Sequence, residues 1–252
     1  MAVHGGPKIS ATNGLILSFD IANSKSYVGF GNTVNDLVNQ TTNELSIQDS
    51  FYKIYDPIVA DYVIPNSPPT NLPISDSNNF GNVIFDGIGN ALKFSTPPLG
   101  STITVEMWIK LGSDYSNNML LSFGSYTIWC LGGGLGFNTS NNDLYGISSA
   151  TVSSLGLLNQ WKQYIFEMRT DVSYTNNKIY INTQNQSLSQ QVGTESSSGR
   201  KFDNINCRIS TWANTTGYEM PMSLSLVRIY NRSLTAAEIS NNFNLGRSRF
   251  GI

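Results

Sequence analysis

Residues 102–110, Thr-Ile-Thr-Val-Glu-Met-Trp-Ile-Lys, alternate without a break. Ile103, Val105, Met107 and Ile109 share one face, and Thr104, Glu106, Trp108 and Lys110 share the other. A period of two over nine residues demands a β-strand, because successive side chains of extended backbone point to opposite sides. Similar short runs recur every ten to fifteen residues or so, separated by Gly, Asn, Asp and Ser. They lie at 15–19, 83–87, 91–94, 120–123, 126–130, 134–137, 143–147, 161–168, 178–182, 208–212 and 222–230. No helical period alternates with them, so a parallel α/β sheet is excluded. An all-β fold is expected, an antiparallel two-sheet jelly-roll sandwich.

Composition agrees. Asn, Ser and Thr supply 80 of the 252 residues, and only 13% are charged. Such a chain favours turns and strands over a helical bundle. One helix is marked near the end, where Thr235 and Glu238 have the spacing of a capping box. Leu234 and Ile239 are placed as its hydrophobic staple, and Ile239 and Phe243 as its buried stripe. Residues 41–82 hold five prolines and read as an irregular excursion, with a short strand near 62–64.

Several functions are argued against. A net charge of −2 gives no field for nucleic acid or anionic membrane. No apolar run approaches the ~20 residues of a membrane span. The N-terminus lacks the apolar stretch of a signal peptide, so synthesis in a cytoplasm is expected. The one histidine, His4, lies in a Gly/Pro-rich arm and makes a Ser-His-Asp site or a multi-histidine zinc site untenable. Cys130 and Cys207 are expected as two buried thiols. Gly132-Gly133-Gly134-Leu135-Gly136 lacks the following helix of a phosphate loop and reads as a hairpin turn. Glu106 has no acidic partner two or four residues away, so a strand-borne catalytic pair is missing and no enzyme is expected.

The order of motifs in 83–244 resembles the laminin G-like, concanavalin A-like lectin/glucanase jelly rolls. The matching residues are Phe85-Asp86-Gly87, Val105-Glu106-Met107-Trp108, Trp161, residues 178–182 and the closing run 226–239. A narrower resemblance joins the two ends. Residues 5–9 with 14–27, and the ending 242–252 (NFNLGRSRFGI), resemble structural proteins of tailed phages of marine bacteria, especially cyanophages. The chain departs from them after Asp36-Leu37 and within 41–82.

The resemblance implies a domain over 14–252 preceded by a docking arm, 1–13. It implies a non-enzymatic virion protein made in a bacterial cytoplasm, foremost an exterior capsid decoration. A tail-fibre adhesin for host glycans is the alternative, and a glycoside hydrolase the third reading. Expected partners are other virion proteins of capsid or tail, further copies of the chain, and glycans. Gly5, Gly6, Pro7, Lys8 and Ile9, with Arg247, Arg249 and Phe250, are the expected docking residues. Sugar sites combine aromatic platforms with amides and carboxylates. That chemistry points to Trp129, Asn138, Asn141 and Asp143, and to Trp212, Asn214 and Tyr218. No cofactor is expected; if calcium binds, as in some relatives, Asp86 and Asp143 are its candidates.

Overall fold

The computed structural model describes residues 11–27, 33–47, 54–56, 61–63, 74–76, 81–139, 142–194, 200–212 and 217–252. Two antiparallel sheets face each other across one core. Among the described residues the first has eight strands. It runs Gln184–Asn185, Lys178–Ile181, Trp161–Arg169, Thr102–Leu111, Met222–Tyr230. The far edge of Met222–Tyr230 is shared. Its start pairs with Asn82–Phe85, which in turn pairs with Ile74–Asp76, and its remainder pairs with Leu15–Asp20. The second sheet has nine strands, in the order Ser189–Val192, Leu144–Ile147, Gly134–Asn138, Tyr126–Leu131, Met119–Phe123, Cys207–Ile209, Asn90–Phe94, Thr42–Ile47, Thr33–Asn35. A separate ribbon pairs Ile54–Asp56 with Asp61–Val63, within the excursion.

The alternation sets the layers. Ile103, Val105, Met107 and Ile109 are fully buried against Ile128, Leu135, Phe137 and Ile209 of the other sheet. Tyr164, Phe166 and Met168 join them from Trp161–Arg169. Cys130 and Cys207 are buried in this core, unbridged, and burial pushes both thiols up, away from reactivity. The hairpin at Gly132 and Gly133 turns with positive φ, 58° and 79°. Gly136 and Gly146 face each other so closely that a Cβ on Gly136 would stand 2.2 Å from the Tyr145 carbonyl oxygen.

The outer face of the eight-stranded sheet is buried as well. A helix, α2 (Ala236–Gly246), and a 3₁₀ turn, Arg247–Phe250, fold back over it. Trp108 is 1% exposed, stacked on Phe243 and on Phe250 with ring centroids 5.8 and 4.3 Å away. Trp161 closes on Phe250 from the next strand at 5.0 Å. Gly246 passes under the Trp108 ring, where a Cβ would come within 3.0 Å. Ala11 is buried with Ile165, Tyr230, Leu234 and Ile239, so the chain is already packed on the domain at residue 11. Residues 1–10 of the expected arm lie outside the described residues.

The capping box forms as its spacing predicts. The Glu238 amide donates to Thr235 Oγ1 at 3.2 Å, and the Thr235 amide donates to Glu238 Oε2 at 2.8 Å. The Arg232 guanidinium, 2.6 Å from Glu238, and then the Thr235 amide hold this carboxyl down at about 2. An unfolded Glu titrates near ~4.3. The depressed value contributes stability above that pH, and the contribution disappears as pH falls through about 2. The pair is partly exposed, so its worth is at most about 1 kcal/mol. The stability gap between wild type and Glu238→Gln is expected to be about that size at pH 7 and to close by pH 2, in urea titrations.

A second helix, α1 (Ser149–Ser154), is absent from the sequence expectations. Its signal is short: the Ser148 hydroxyl accepts from the Thr151 amide, and Val152 alone is buried. Among the described residues no helix is long and apolar enough to cross a membrane.

Candidate functional site

At one end of the sandwich, three loops enclose a polar cavity of about 470 Å³. The turn after Asn82–Phe85 brings Asp86, Gly87 and Ile88, and the loop before Met119–Phe123 brings Asp114, Ser116 and Asn118. The run into Met222–Tyr230 brings Gly217, Glu219 and Pro221. Backbone bonds tie these loops together. Gly112 N donates to the Pro221 carbonyl and Met119 N to the Tyr218 carbonyl, each at 2.8 Å. Gly87 adopts φ +82° with Pro221 against it, an approach that suits glycine.

Three carboxyl groups line this cavity. Asp86 Oδ1 accepts from the Ile88 amide at 2.7 Å and from Asn90 Nδ2 at 2.6 Å, which fixes its side chain. Glu219 is 8% exposed and accepts from the Gly217 amide at 3.0 Å. Burial raises the Glu219 carboxyl, the Asp86 charge adds to the rise, and backbone amides oppose it. With Ser116 and Asn118, the wall carries acceptors and donors of the kind that pair with hydroxyl groups. Exposed Ile88 adds an apolar edge.

The aromatic residues expected to form sugar platforms lie beside this cavity and behave differently. Tyr218 sits between lining residues 217 and 219, and its ring meets Trp212 edge-to-face at 5.7 Å. Both are partly exposed and rest on a cluster of Met119, Trp129 and Leu144. Trp129 is 3% exposed and donates through Nε1 to the Asp143 carbonyl at 3.0 Å. It is a packing residue, contrary to the platform expected. Asn138 is buried and its Oδ1 accepts from Arg200 at 2.8 Å. The Asp143 carboxylate is fully buried, held by the Thr139 amide and hydroxyl and by Gln190. It stitches a loop and is closed to a solvated calcium ion, so that assignment is corrected. Asp86 faces the cavity, but no cluster of three metal-ligating side chains forms among the described residues. Asn141 and Asn214 lie outside the described residues.

The expected docking tail is also corrected. Phe250 is 5% exposed between Trp108 and Trp161. Arg249 pairs with Asp20 at 2.8 Å and donates to the Ser225 hydroxyl at 2.6 Å. Both are used inside the chain, and of the three only Arg247 is exposed. Gly5 to Ile9 lie outside the described residues. Glu106 is also used inside the chain. It is fully buried and accepts from Gln163, Arg228, Tyr230 and Asn242.

Asp114, Ser116, Asn118 and Glu219 escaped the sequence reading. They lie 28 to 133 residues from Asp86 in the chain with no motif spacing, and only the pairing of distant strands gathers them.

This two-sheet sandwich, with a polar cavity among its end loops, is of the lectin type. Residues 86–240 match the laminin G-like profile described as the concanavalin A-like lectin/glucanases superfamily, and the chain belongs to that family. No curated protein sequence matches it. Among solved structures it is similar to the receptor-binding domain of a botulinum neurotoxin C/D mosaic serotype, with TM-score 0.53 and 12% identity over 92% of this chain and 51% of that one. The botulinum neurotoxin serotype D ligand-binding domain, in complex with N-acetylneuraminic acid, gives 0.54 and 12% over 92% and 50%. A Trypanosoma rangeli sialidase gives 0.57 and 12% over 94% and 34%. The chain thus spans about half of the toxin domains and a third of the sialidase. At these identities the likeness concerns the fold.

Proposed function

We propose that this chain is a non-enzymatic structural protein of a tailed-phage particle, an exterior decoration with its lectin-type end loops facing outward. The observation that carries the proposal is the closure of its two terminal signatures on each other. Asp20 belongs to the first segment that resembles phage structural proteins and Arg249 to the last, and they meet at 2.8 Å. Asp20 is 4% exposed, and Arg249 also reaches the Gly81 carbonyl. Two stretches of sequence more than 200 residues apart therefore meet in one structural unit. The non-enzymatic part is supported by Glu106, whose carboxylate is committed to Arg228 and three further donors. Electron cryomicroscopy of purified particles tests the placement. Copies arrayed on the capsid lattice are expected; density confined to the distal tail would sink the decoration reading.

A second reading, a tail adhesin for host glycans, is favoured by the end cavity with its carboxylates and hydroxyl-pairing side chains. One toxin domain of similar fold was solved with N-acetylneuraminic acid, and another, a botulinum neurotoxin DC binding domain, with rat synaptotagmin II. Here a glycan array probed with the purified chain is expected to give binding that survives a calcium chelator. Asp86→Asn combined with Glu219→Gln should weaken it at least ten-fold, and an unchanged pattern would remove the cavity from this reading.

A further inference from the structure

The chain has one Asn-Gly pair, Asn13-Gly14. Such a pair can cyclise, because glycine has no side chain to shield its amide nitrogen. The fold explains why glycine stands there. Residues 12–15 form a turn, closed by the Leu15 amide donating to the Thr12 carbonyl at 3.2 Å. Gly14, in its third position, adopts φ +74°, the left-handed region that favours glycine. A Cβ there would also stand 2.7 Å from Asn231 Oδ1.

The same turn leaves the reacting groups open. Thr12 and Asn13 are exposed. Among the described residues, neither the Asn13 side-chain amide nor the Gly14 amide nitrogen makes a hydrogen bond. The Arg232 guanidinium donates through Nε to the Asn13 carbonyl at 2.9 Å. That bond draws electron density from the Asn13–Gly14 peptide and makes its N–H more acidic. Two other pairs with a small following residue are tied down. Asn23, before Ser24, has its Oδ1 held by the Lys25 amide at 3.0 Å. Asp86, before Gly87, accepts from the Ile88 amide and from Asn90 Nδ2.

We propose that Asn13 is a modification site, converted without an enzyme to aspartate and isoaspartate. The Gly14 nitrogen, losing its proton to water or hydroxide, attacks Asn13 Cγ. The new N–Cγ bond closes a cyclic imide, the Cγ–Nδ2 bond breaks, and ammonia leaves with a proton from water. Water then opens the ring at either carbonyl, and nothing is oxidised or reduced. Opening at the main-chain carbonyl gives isoaspartate, which adds one carbon to the main chain. Either product places a carboxylate on a residue bonded to Arg232, whose guanidinium already pairs with Glu238 at 2.6 Å. Charge and chain direction therefore change where residues 1–13 join the domain. The site is separate from the end cavity and stands whatever the chain assembles with.

The test is peptide mass spectrometry of the full, folded chain held in mildly alkaline buffer. Conversion at residue 13 is expected to outpace that at Asn23 at least ten-fold, with isoaspartate the major product. It should slow in mildly acidic buffer, where the Gly14 amide keeps its proton. Asn13→Gln, which would have to close a larger ring, should lower conversion at this position at least ten-fold and leave the urea midpoint unchanged. In urea, isoaspartate is expected at residue 86 as well, because the Ile88 amide and Asn90 no longer hold Asp86. Absence of conversion at residue 13 in the folded chain overturns the proposal. So does conversion confined to urea, which would show that the turn keeps Asn13 Cγ away from the Gly14 nitrogen. Equal rates at Asn13 and Asn23 overturn it too, since the free side chain would then confer nothing.

Discussion

Replacing Glu106 by alanine is expected to destabilise the protein by about 3–5 kcal/mol, the usual cost of removing one partner of a buried ion pair. Glu106 is 0% exposed and Arg228, 3.3 Å away, is 4% exposed. Without the carboxylate, Arg228 keeps its charge, because a guanidinium does not deprotonate in a protein. Gln163 Nε2 and Asn242 Nδ2, each 2.9 Å from Glu106, lose their acceptor at the same time. Removing both charges should cost less than removing one, since a buried pair replaced by apolar side chains is often near neutral. Urea titration of Glu106→Ala, Arg228→Met and the double variant measures this. The ordering expected has the double variant more stable than Glu106→Ala; a single-variant loss under about 1 kcal/mol would show that water reaches the network and screens Arg228.

Trp108→Ala should cost a similar amount, about 3–5 kcal/mol for a large buried aromatic side chain. Here the loss falls on one element. Phe243 and Phe250 stack on the Trp108 ring, and Gly246 is fitted against it. Removing the ring leaves Phe250 with Trp161 and leaves α2 with its Ile239 anchor and its cap. The C-terminal turn should therefore loosen before the sandwich does. Limited proteolysis is expected to cut Trp108→Ala within residues 244–252 under conditions that leave the wild type intact, while far-ultraviolet circular dichroism keeps its β signal. Protection equal to wild type would mean that Arg249, paired with Asp20, holds the turn without the aromatic stack.

Both predictions concern a face that looks ordinary in the sequence. Alternation at 102–110 shows that Glu106 and Trp108 share a side, and the strand forms over Thr102–Leu111. It cannot show what lies on that side. The capping box is local, a matter of three residues, and so it was legible. The helix it starts brings Asn242 to Glu106 across 136 residues, which no spacing rule foresees. Two of the sugar candidates, Trp129 and Asp143, are spent inside the fold for the same reason. Trp129 and Asp143 have the right chemistry, but burial decided their use: one ring packs under Trp212 and Tyr218, and one carboxylate fastens a loop.

What the sequence determined by itself is whatever depends on neighbours in the chain. That covers the strand periods, the glycine hairpin, the helix cap and, through its ordered motifs, the laminin G-like family. What only the tertiary structure decided is which side chains remain available. The return of residues 236–250 over the eight-stranded sheet packs Phe250 of the expected docking tail into the core and pairs Arg249 with Asp20. The loops at 86–88, 114–118 and 217–221 assemble a cavity from acids that have no common motif. The physical reason is that backbone conformation follows local sterics and hydrogen bonding, whereas desolvation depends on contacts between segments far apart in sequence.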